Sequence, residues 1–131
     1  MSAEFADTNI VLYLLDDGLK ADLATGIIGK KPCISVQVLN ETMVNCRRKA
    51  GMSWDETSAF LTSIETLCRV EPLTLQTHKI GRALAERYNF SVYDAVIVAA
   101  ALLAGCTTLW SEDMQDSLLV ENQLRIINPF K

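Results

Sequence analysis

Brief apolar runs alternate with longer amphipathic segments along the whole chain. A brief run that ends on polar or turn-forming residues is typical of a buried strand, whereas apolar residues at i, i+3 and i+4 indicate a helix. The brief runs predict strands at residues 5–6, 33–34, 70–73, 107–110 and 124–127.

The longer segments predict the helices that separate these strands. Ser35 and Ser53 are suited to cap helix N-termini, and Ser53-Trp54-Asp55-Glu56 has the pattern of a capping box. The helix that begins near Ser91 is apolar on nearly every side, which predicts that it is buried. The predicted helical segments are residues 10–15, 19–28, 36–50, 54–68, 74–88 and 91–104.

Strands that are separated by helices predict a parallel sheet. No hairpin signature such as Asn-Gly lies between two predicted strands. We therefore expect an α/β fold in one domain, residues 1–131, with a central parallel sheet of four or five strands covered on both faces. Pro72 cannot donate a ladder hydrogen bond, so its strand should lie at the sheet edge.

Composition narrows the class of protein. Half of the 131 residues are apolar, which excludes a disordered chain. We see no export signal and no membrane-spanning run, so we expect a soluble cytoplasmic protein without a membrane partner. The four cysteines form no C-x-x-C pair and are expected to be buried thiols. The net charge of −4 argues against binding nucleic acid through a broad basic surface, but not against a metal-dependent nuclease.

Four acidic residues are predicted to meet at one edge of the sheet. Asp7 and Asp113 follow strands, Glu41 lies two turns into a helix that follows a strand, and Asp94 lies in the first turn of the buried helix. Ligands of parallel sheets bind beyond the carboxyl ends of the strands, where these loops gather. Carboxylates packed together require a cation or bound protons, and oxygen ligands alone favour Mg²⁺ or Mn²⁺.

Such a site could hydrolyse a phosphodiester without a protein nucleophile, since one or two ions can activate a water and stabilise the leaving oxygen. Thr8, Asn9 and Ser111 would orient the carboxylates or the water. Each residue also has a structural alternative. Asp7 and Asn9 could cap a helix, Ser91 and Asp94 match a capping box, and Glu41 could be a solvated helix position.

The motifs together resemble those of the PIN domain, and in particular the small VapC-type toxins of prokaryotic toxin–antitoxin pairs. The resemblance covers essentially the whole chain. It is carried by Asp7-Thr8-Asn9, Ser35 followed by Glu41, Asp94-Ala95-Val96-Ile97, Ser111-Glu112-Asp113 and Asn128-Pro129-Phe130.

The resemblance implies a Rossmann-like three-layer α/β/α sandwich and an endoribonuclease that depends on Mg²⁺ or Mn²⁺. It also implies a homodimer, a cognate antitoxin protein and an RNA substrate such as transfer RNA. Asp7, Glu41, Asp94 and Asp113 match the family's acidic residues, and Asp116 could be an additional acid outside the metal ligands. Glu112 leaves the fourth ligand ambiguous, and Asp113 is favoured because the family's acid comes two residues after its Ser or Thr.

Basic residues on the Glu41 helix are candidates for RNA binding. Arg47, Arg48 and Lys49 lie on that helix further from the acids, although residues near a helix C-terminus are also favoured by its dipole. The main alternative function is a catalytically silent PIN-like module that only binds protein or RNA. A haloacid dehalogenase-type phosphatase is disfavoured because Asn9 stands where the second aspartate is needed.

Overall fold

Six short strands, numbered along the chain, form one sheet in a computed structural model that describes residues 3–131. The sheet order is β3-β2-β1-β4-β6-β5. Their bounds are β1 Glu4–Ala6, β2 Cys33–Ser35, β3 Arg69–Glu71, β4 Thr108–Trp110, β5 Leu119–Val120 and β6 Leu124–Ile127.

Helices connect the first four strands, as the amphipathic pattern predicts. Asp7, Ser35, Ser53, Thr74 and Ser91 cap the helices that follow them, each accepting a hydrogen bond from a backbone N–H. The 10–15 segment is divided between the end of the first helix and a 3₁₀ turn, Tyr13–Leu15. The α-helices are α1 Thr8–Leu12, α2 Leu19–Gly29, α3 Val36–Arg48, α4 Trp54–Leu67, α5 Leu75–Tyr88 and α6 Val92–Leu103.

The α/β class and the mostly parallel sheet are confirmed. β3 lies at the predicted edge, but it ends at Glu71 and does not contain Pro72, which follows it. The predicted central sheet of four or five parallel strands is present as β3-β2-β1-β4-β6, but the sequence did not predict a further strand. β5 pairs antiparallel with β6 and forms a sixth strand. Glu121 and Asn122 both adopt left-handed backbone in the tight turn between them (φ +51° and +55°). The turn contains no glycine, so the hairpin lacked its usual sequence signal.

The central strands are covered on both faces. Successive side chains of a strand point to opposite faces, yet Phe5 and Ala6 are both fully buried, and so are Cys33 and Ile34. The helix α6 is also buried along most of its length, as its apolar composition predicts. All four cysteines are buried and none is part of a disulfide within residues 3–131, which confirms the expectation of buried thiols.

Two details of the predicted elements differ from the structure. The i, i+3, i+4 spacing predicts a core-facing stripe that includes Ile64, Leu67 and Cys68, but Leu67 at the end of α4 is 40% exposed. The residue types of Ser111-Glu112-Asp113 predict a helix N-terminus, but the segment opens no helix, and Ser111 instead stabilises a turn. Within residues 3–131, no helix combines the length and the apolar character needed to cross a membrane.

Candidate active site

The carboxyl ends of β1 and β4 bring two polar segments together. These strands pair in parallel, with Ala6 opposite Trp110. Asp7 and Ser111 directly follow the two strands and therefore lie side by side. Asp7 is also the N-cap of α1, which turns its carboxylate toward the strand ends. Sheet register therefore determines the contact between residues more than 100 positions apart in sequence.

Asp7 is a buried carboxylate held by three donors. Its side chain accepts hydrogen bonds from the Ser111 hydroxyl (2.7 Å), the Thr8 backbone N–H (2.7 Å) and the Asn9 side-chain amide (3.1 Å). Burial raises its pKa from 3.8 to about 6, although the bonds from Ser111 and Thr8 oppose this increase. The charges of Asp94 and Glu41 raise the pKa of Asp7 further.

Glu41 is oriented by a donor on each side. The Thr8 hydroxyl donates to Oε1 (2.9 Å), and the Gln37 side-chain amide donates to Oε2 (2.9 Å). Gln37 is one turn before Glu41 on α3, so both side chains lie on the same face of that helix. Thr8 on α1 is therefore linked to α3 through the carboxylate of Glu41.

Asp94 lies in the first turn of α6, near enough for the charges of Glu41 and Asp113 to act on its carboxylate. Its backbone N–H donates to the Ser91 hydroxyl that caps the helix (3.2 Å). Partial burial raises the pKa of Asp94, a separate side-chain hydrogen bond from Ser91 to the Asp94 carboxylate opposes that increase, and the charges of Glu41 and Asp113 add to it.

Asn9 connects Asp113 to the buried acid. Its side-chain amide lies 3.1 Å from Asp7 Oδ2 and 3.2 Å from Asp113 Oδ2, and its carbonyl oxygen accepts from the Glu112 backbone N–H (3.1 Å). The Ser111 hydroxyl also accepts from the Asp113 backbone N–H (3.3 Å). The short polar segment after β4 is thereby held against the segment after β1.

The adjacent acid, Glu112, is turned away from this cluster. It forms an ion pair with Lys20 (2.6 Å) and accepts a hydrogen bond from the Tyr13 hydroxyl. Lys20 and Tyr13 lower the pKa of Glu112, in that order of effect. The geometry thus favours Asp113 over Glu112 as the fourth acid of the site.

The donor set suits a hard divalent cation. Among residues 3–131, no Lys or Arg forms an ion pair or hydrogen bond with Asp7, Glu41, Asp94 or Asp113. The repulsion between these four carboxylates is therefore not offset by a basic side chain. Carboxylate oxygens without thiol or imidazole donors are the ligands that Mg²⁺ and Mn²⁺ prefer. Within the same residues, however, no three acidic, histidine or cysteine side chains are arranged to hold one ion as they stand.

The PIN domain family matches residues 5–117, which is most of the chain and contains all four acids. The chain belongs to the PIN domain family. No curated protein matches it in sequence.

Solved structures share this PIN fold over most of the chain. A toxin–antitoxin complex from Klebsiella pneumoniae matches with a TM-score of 0.73 at 19% identity, covering 96% of this chain and 97% of the other. The VapC20 toxin of Mycobacterium tuberculosis, which cleaves the sarcin–ricin loop, matches with a TM-score of 0.69 at 22% identity, covering 84% and 89%. A DNA-bound VapBC complex from Salmonella typhimurium matches with a TM-score of 0.71 at 17% identity, covering 96% and 97%.

Asp116 does not join the four acids of this PIN domain. Its carboxylate accepts from the Asn128 backbone N–H (2.7 Å) and lies 3.5 Å from the Lys131 ammonium, and the first of these contacts is the main reason its pKa is lowered. The predicted role beside the metal ligands has no supporting contact among the described residues. Asp116 instead holds the C-terminal tail against the turn after β4.

The three predicted RNA-binding residues point to different places. Arg47 donates to the Met52 carbonyl (2.6 Å) and lies over the Trp54 ring, 4.4 Å from its centroid, so it supports the connection between α3 and α4. Lys49 lines a separate cleft. Arg48 alone lines the cleft that Glu41 borders.

Sequence reasoning missed several residues that position the site. Gln37 had a usable signal, because it lies four residues before Glu41 on a predicted helix. Tyr13 and Lys20 had none, since their contact with Glu112 joins residues about 90 or more positions apart.

Proposed function

We propose that this PIN domain is a Mg²⁺- or Mn²⁺-dependent endoribonuclease that hydrolyses phosphodiester bonds in RNA. The observation that carries the proposal is the cluster of Asp7, Glu41, Asp94 and Asp113 at the carboxyl edge of the sheet, without a cationic partner among residues 3–131. These four acids are the proposed metal ligands and catalytic residues.

The polar neighbours would hold the carboxylates in position. Asp7 accepts hydrogen bonds from the side chains of Ser111 and Asn9, and Asn9 also donates to Asp113. Glu41 accepts hydrogen bonds from the side chains of Thr8 and Gln37. A divalent ion, when bound, supplies an activated water for in-line attack and neutralises charge on the phosphate and the leaving oxygen. Because burial raises the pKa of Asp7 and of Asp94, a bound cation would stabilise the ionised form of both carboxylates.

We further propose that the protein is the toxin of a toxin–antitoxin pair, active in the cytoplasm as a homodimer and inhibited by a cognate antitoxin. Support comes from the shared fold with toxins whose structures include an antitoxin or a promoter DNA fragment, such as VapBC2 of Rickettsia felis (TM-score 0.68, 15% identity, covering 94% of this chain and 96% of the other). A structured RNA is the expected substrate, with transfer RNA one candidate.

The test is cleavage of total RNA by the purified protein without antitoxin, in Mn²⁺ or Mg²⁺ and in EDTA. Asp7→Asn should abolish the cleavage, whereas Asp116→Asn is a matched control that changes an acid outside the cluster. Metal-dependent fragments that disappear only with Asp7→Asn would support the proposal, and their ends would give the cleavage position. Absence of both cleavage and metal binding would favour a catalytically silent PIN module.

A further inference from the structure

The cleft beside Glu41 has a volume of about 480 Å³, which is in the range of small-molecule and cofactor sites. One wall is a stripe on α3 with the spacing i, i+4, i+7 and i+11, and the other wall is Tyr93 at the start of α6. Residues of the stripe are Gln37, Glu41, Val44 and Arg48, and Asn40 and Asn45 complete the lining.

Two side chains in this cleft, Tyr93 and Arg48, have no hydrogen-bond or ring partner among residues 3–131. Tyr93 is 65% exposed, and within residues 3–131 its ring and hydroxyl make no ring contact or hydrogen bond. Arg48 is exposed and likewise forms no ion pair or hydrogen bond in the described part of the chain. By contrast, the neighbouring Arg47 is occupied by the Met52 carbonyl and the Trp54 ring.

The cleft adjoins the candidate active site on both walls. Glu41 belongs to the stripe and to the acid cluster, and Tyr93 immediately precedes Asp94. Arg48 is seven residues after Glu41, about 10 Å along the helix axis. A nucleotide next to a phosphate held at the acids would therefore lie in this cleft.

We propose that Tyr93 and Arg48 bind the unpaired nucleotide adjacent to the scissile phosphate, with its base stacked on Tyr93 and its phosphate paired with Arg48. An aromatic face beside a cation is the combination that holds single-stranded nucleic acid, because every base has a stacking surface. Stacking on Tyr93 requires a base that is not paired, so the RNA must be single-stranded at this position. The assignment rests on the proposed ribonuclease function but is measured by binding.

The experiment measures binding of a short fluorescein-labelled RNA of mixed sequence, single-stranded or annealed to its complement, by anisotropy in EDTA. Tyr93→Ala should weaken binding of the single strand roughly 10-fold or more, and Tyr93→Trp should retain it, because the indole also stacks. Val92→Ala is the matched control, since this neighbour is 67% exposed but lines a different cleft, and it should bind as the wild type does. Arg48→Ala should weaken binding and reduce the slope of log K against log salt by about one.

Cleavage by the same variants separates the two proposals. Tight binding that depends on Tyr93 in a protein that cleaves no RNA would contradict the ribonuclease and leave the nucleotide site supported. Wild-type binding by Tyr93→Ala, equal loss with Tyr93→Trp, or no RNA binding by the wild type would overturn the assignment. It would also be overturned if Tyr93→Ala changed only the dimer or the antitoxin complex, because the cleft would then be a protein interface.

Discussion

Replacing Asp7 by asparagine should raise the stability of the metal-free protein relative to the wild type as the pH increases from acidic to neutral, even as it removes the proposed activity. The Asp7 side chain is buried, and its pKa in the folded protein is about 6 rather than 3.8. Folding therefore favours the protonated form of this group. The stabilisation is fully present below pH 3.8 and is lost as the pH rises through about 6.

The magnitude follows from the two pKa values. Their difference of about 2 corresponds to about 3 kcal/mol over the whole titration, because each pKa unit is worth about 1.4 kcal/mol. Between pH 4.5 and 7.5, about 2 kcal/mol of that free energy should be lost from the wild type. An asparagine cannot lose a proton, so the variant should lack this contribution, although a smaller pH dependence from Asp94 remains.

The replacement has a constant cost as well. The new asparagine side chain can still accept from the Thr8 N–H, but its amide would face the amide of Asn9, which in the wild type donates to the carboxylate. This cost should not depend on pH. The informative quantity is therefore the difference in unfolding free energy between variant and wild type at the two pH values.

The assay is urea unfolding followed by circular dichroism in EDTA, at pH 4.5 and 7.5. The variant should gain about 2 kcal/mol relative to the wild type between the lower and the higher pH. Asp116→Asn is the control, because the hydrogen bond from Asn128 lowers the pKa of Asp116 and its stabilisation is already present above pH 4. An Asp7→Asn difference that is equal at both pH values would refute the reasoning about a destabilised buried carboxylate.

Three further results are expected from the same geometry. Mg²⁺ at about 100 times its Kd should stabilise the wild type by about 2.7 kcal/mol but leave Asp7→Asn nearly unchanged, and equal stabilisation of both would place the ion elsewhere. Thr8→Val removes the donor to Glu41, so the Mn²⁺ concentration needed for half-maximal cleavage should rise about 10- to 100-fold, and an unchanged requirement would contradict this role. Lys20→Met breaks the ion pair with Glu112 and should reduce cleavage several-fold. Thermal stability should change little, because Lys20 is exposed. Full activity of this variant would show that the turn after β4 keeps its position without the ion pair.

The sequence predicted the acids because strand ends and helix starts are local signals. Asp7, Glu41 and Asp94 each follow a recognisable strand or cap, and parallel connectivity brings those positions to one edge of the sheet. The β5–β6 hairpin was not predictable in the same way. Its turn uses Glu121 and Asn122 in left-handed backbone, a conformation stabilised by strand pairing instead of by glycine.

The sequence also could not predict which partner a side chain would find on a neighbouring element. Arg47 and Arg48 are adjacent and chemically identical, yet the first packs on Trp54 and the second lines the cleft beside Glu41. The 100° step between successive helical residues separates them, and only the position of α4 decides which is occupied. Glu112 and Asp113 are also adjacent acids with different partners, because Lys20 forms an ion pair with the first.

Product chemistry tests the central claim most directly, namely that the four acids support hydrolysis by water with a divalent ion. The end-mapped RNA would be cleaved with Mn²⁺ in oxygen-18 water, and the phosphate at the new end analysed by mass spectrometry. We predict one solvent oxygen in that phosphate after a single cleavage, and no product in EDTA or with Asp94→Asn. A 2′,3′-cyclic phosphate formed without solvent oxygen, or cleavage that persists in EDTA, would contradict the account.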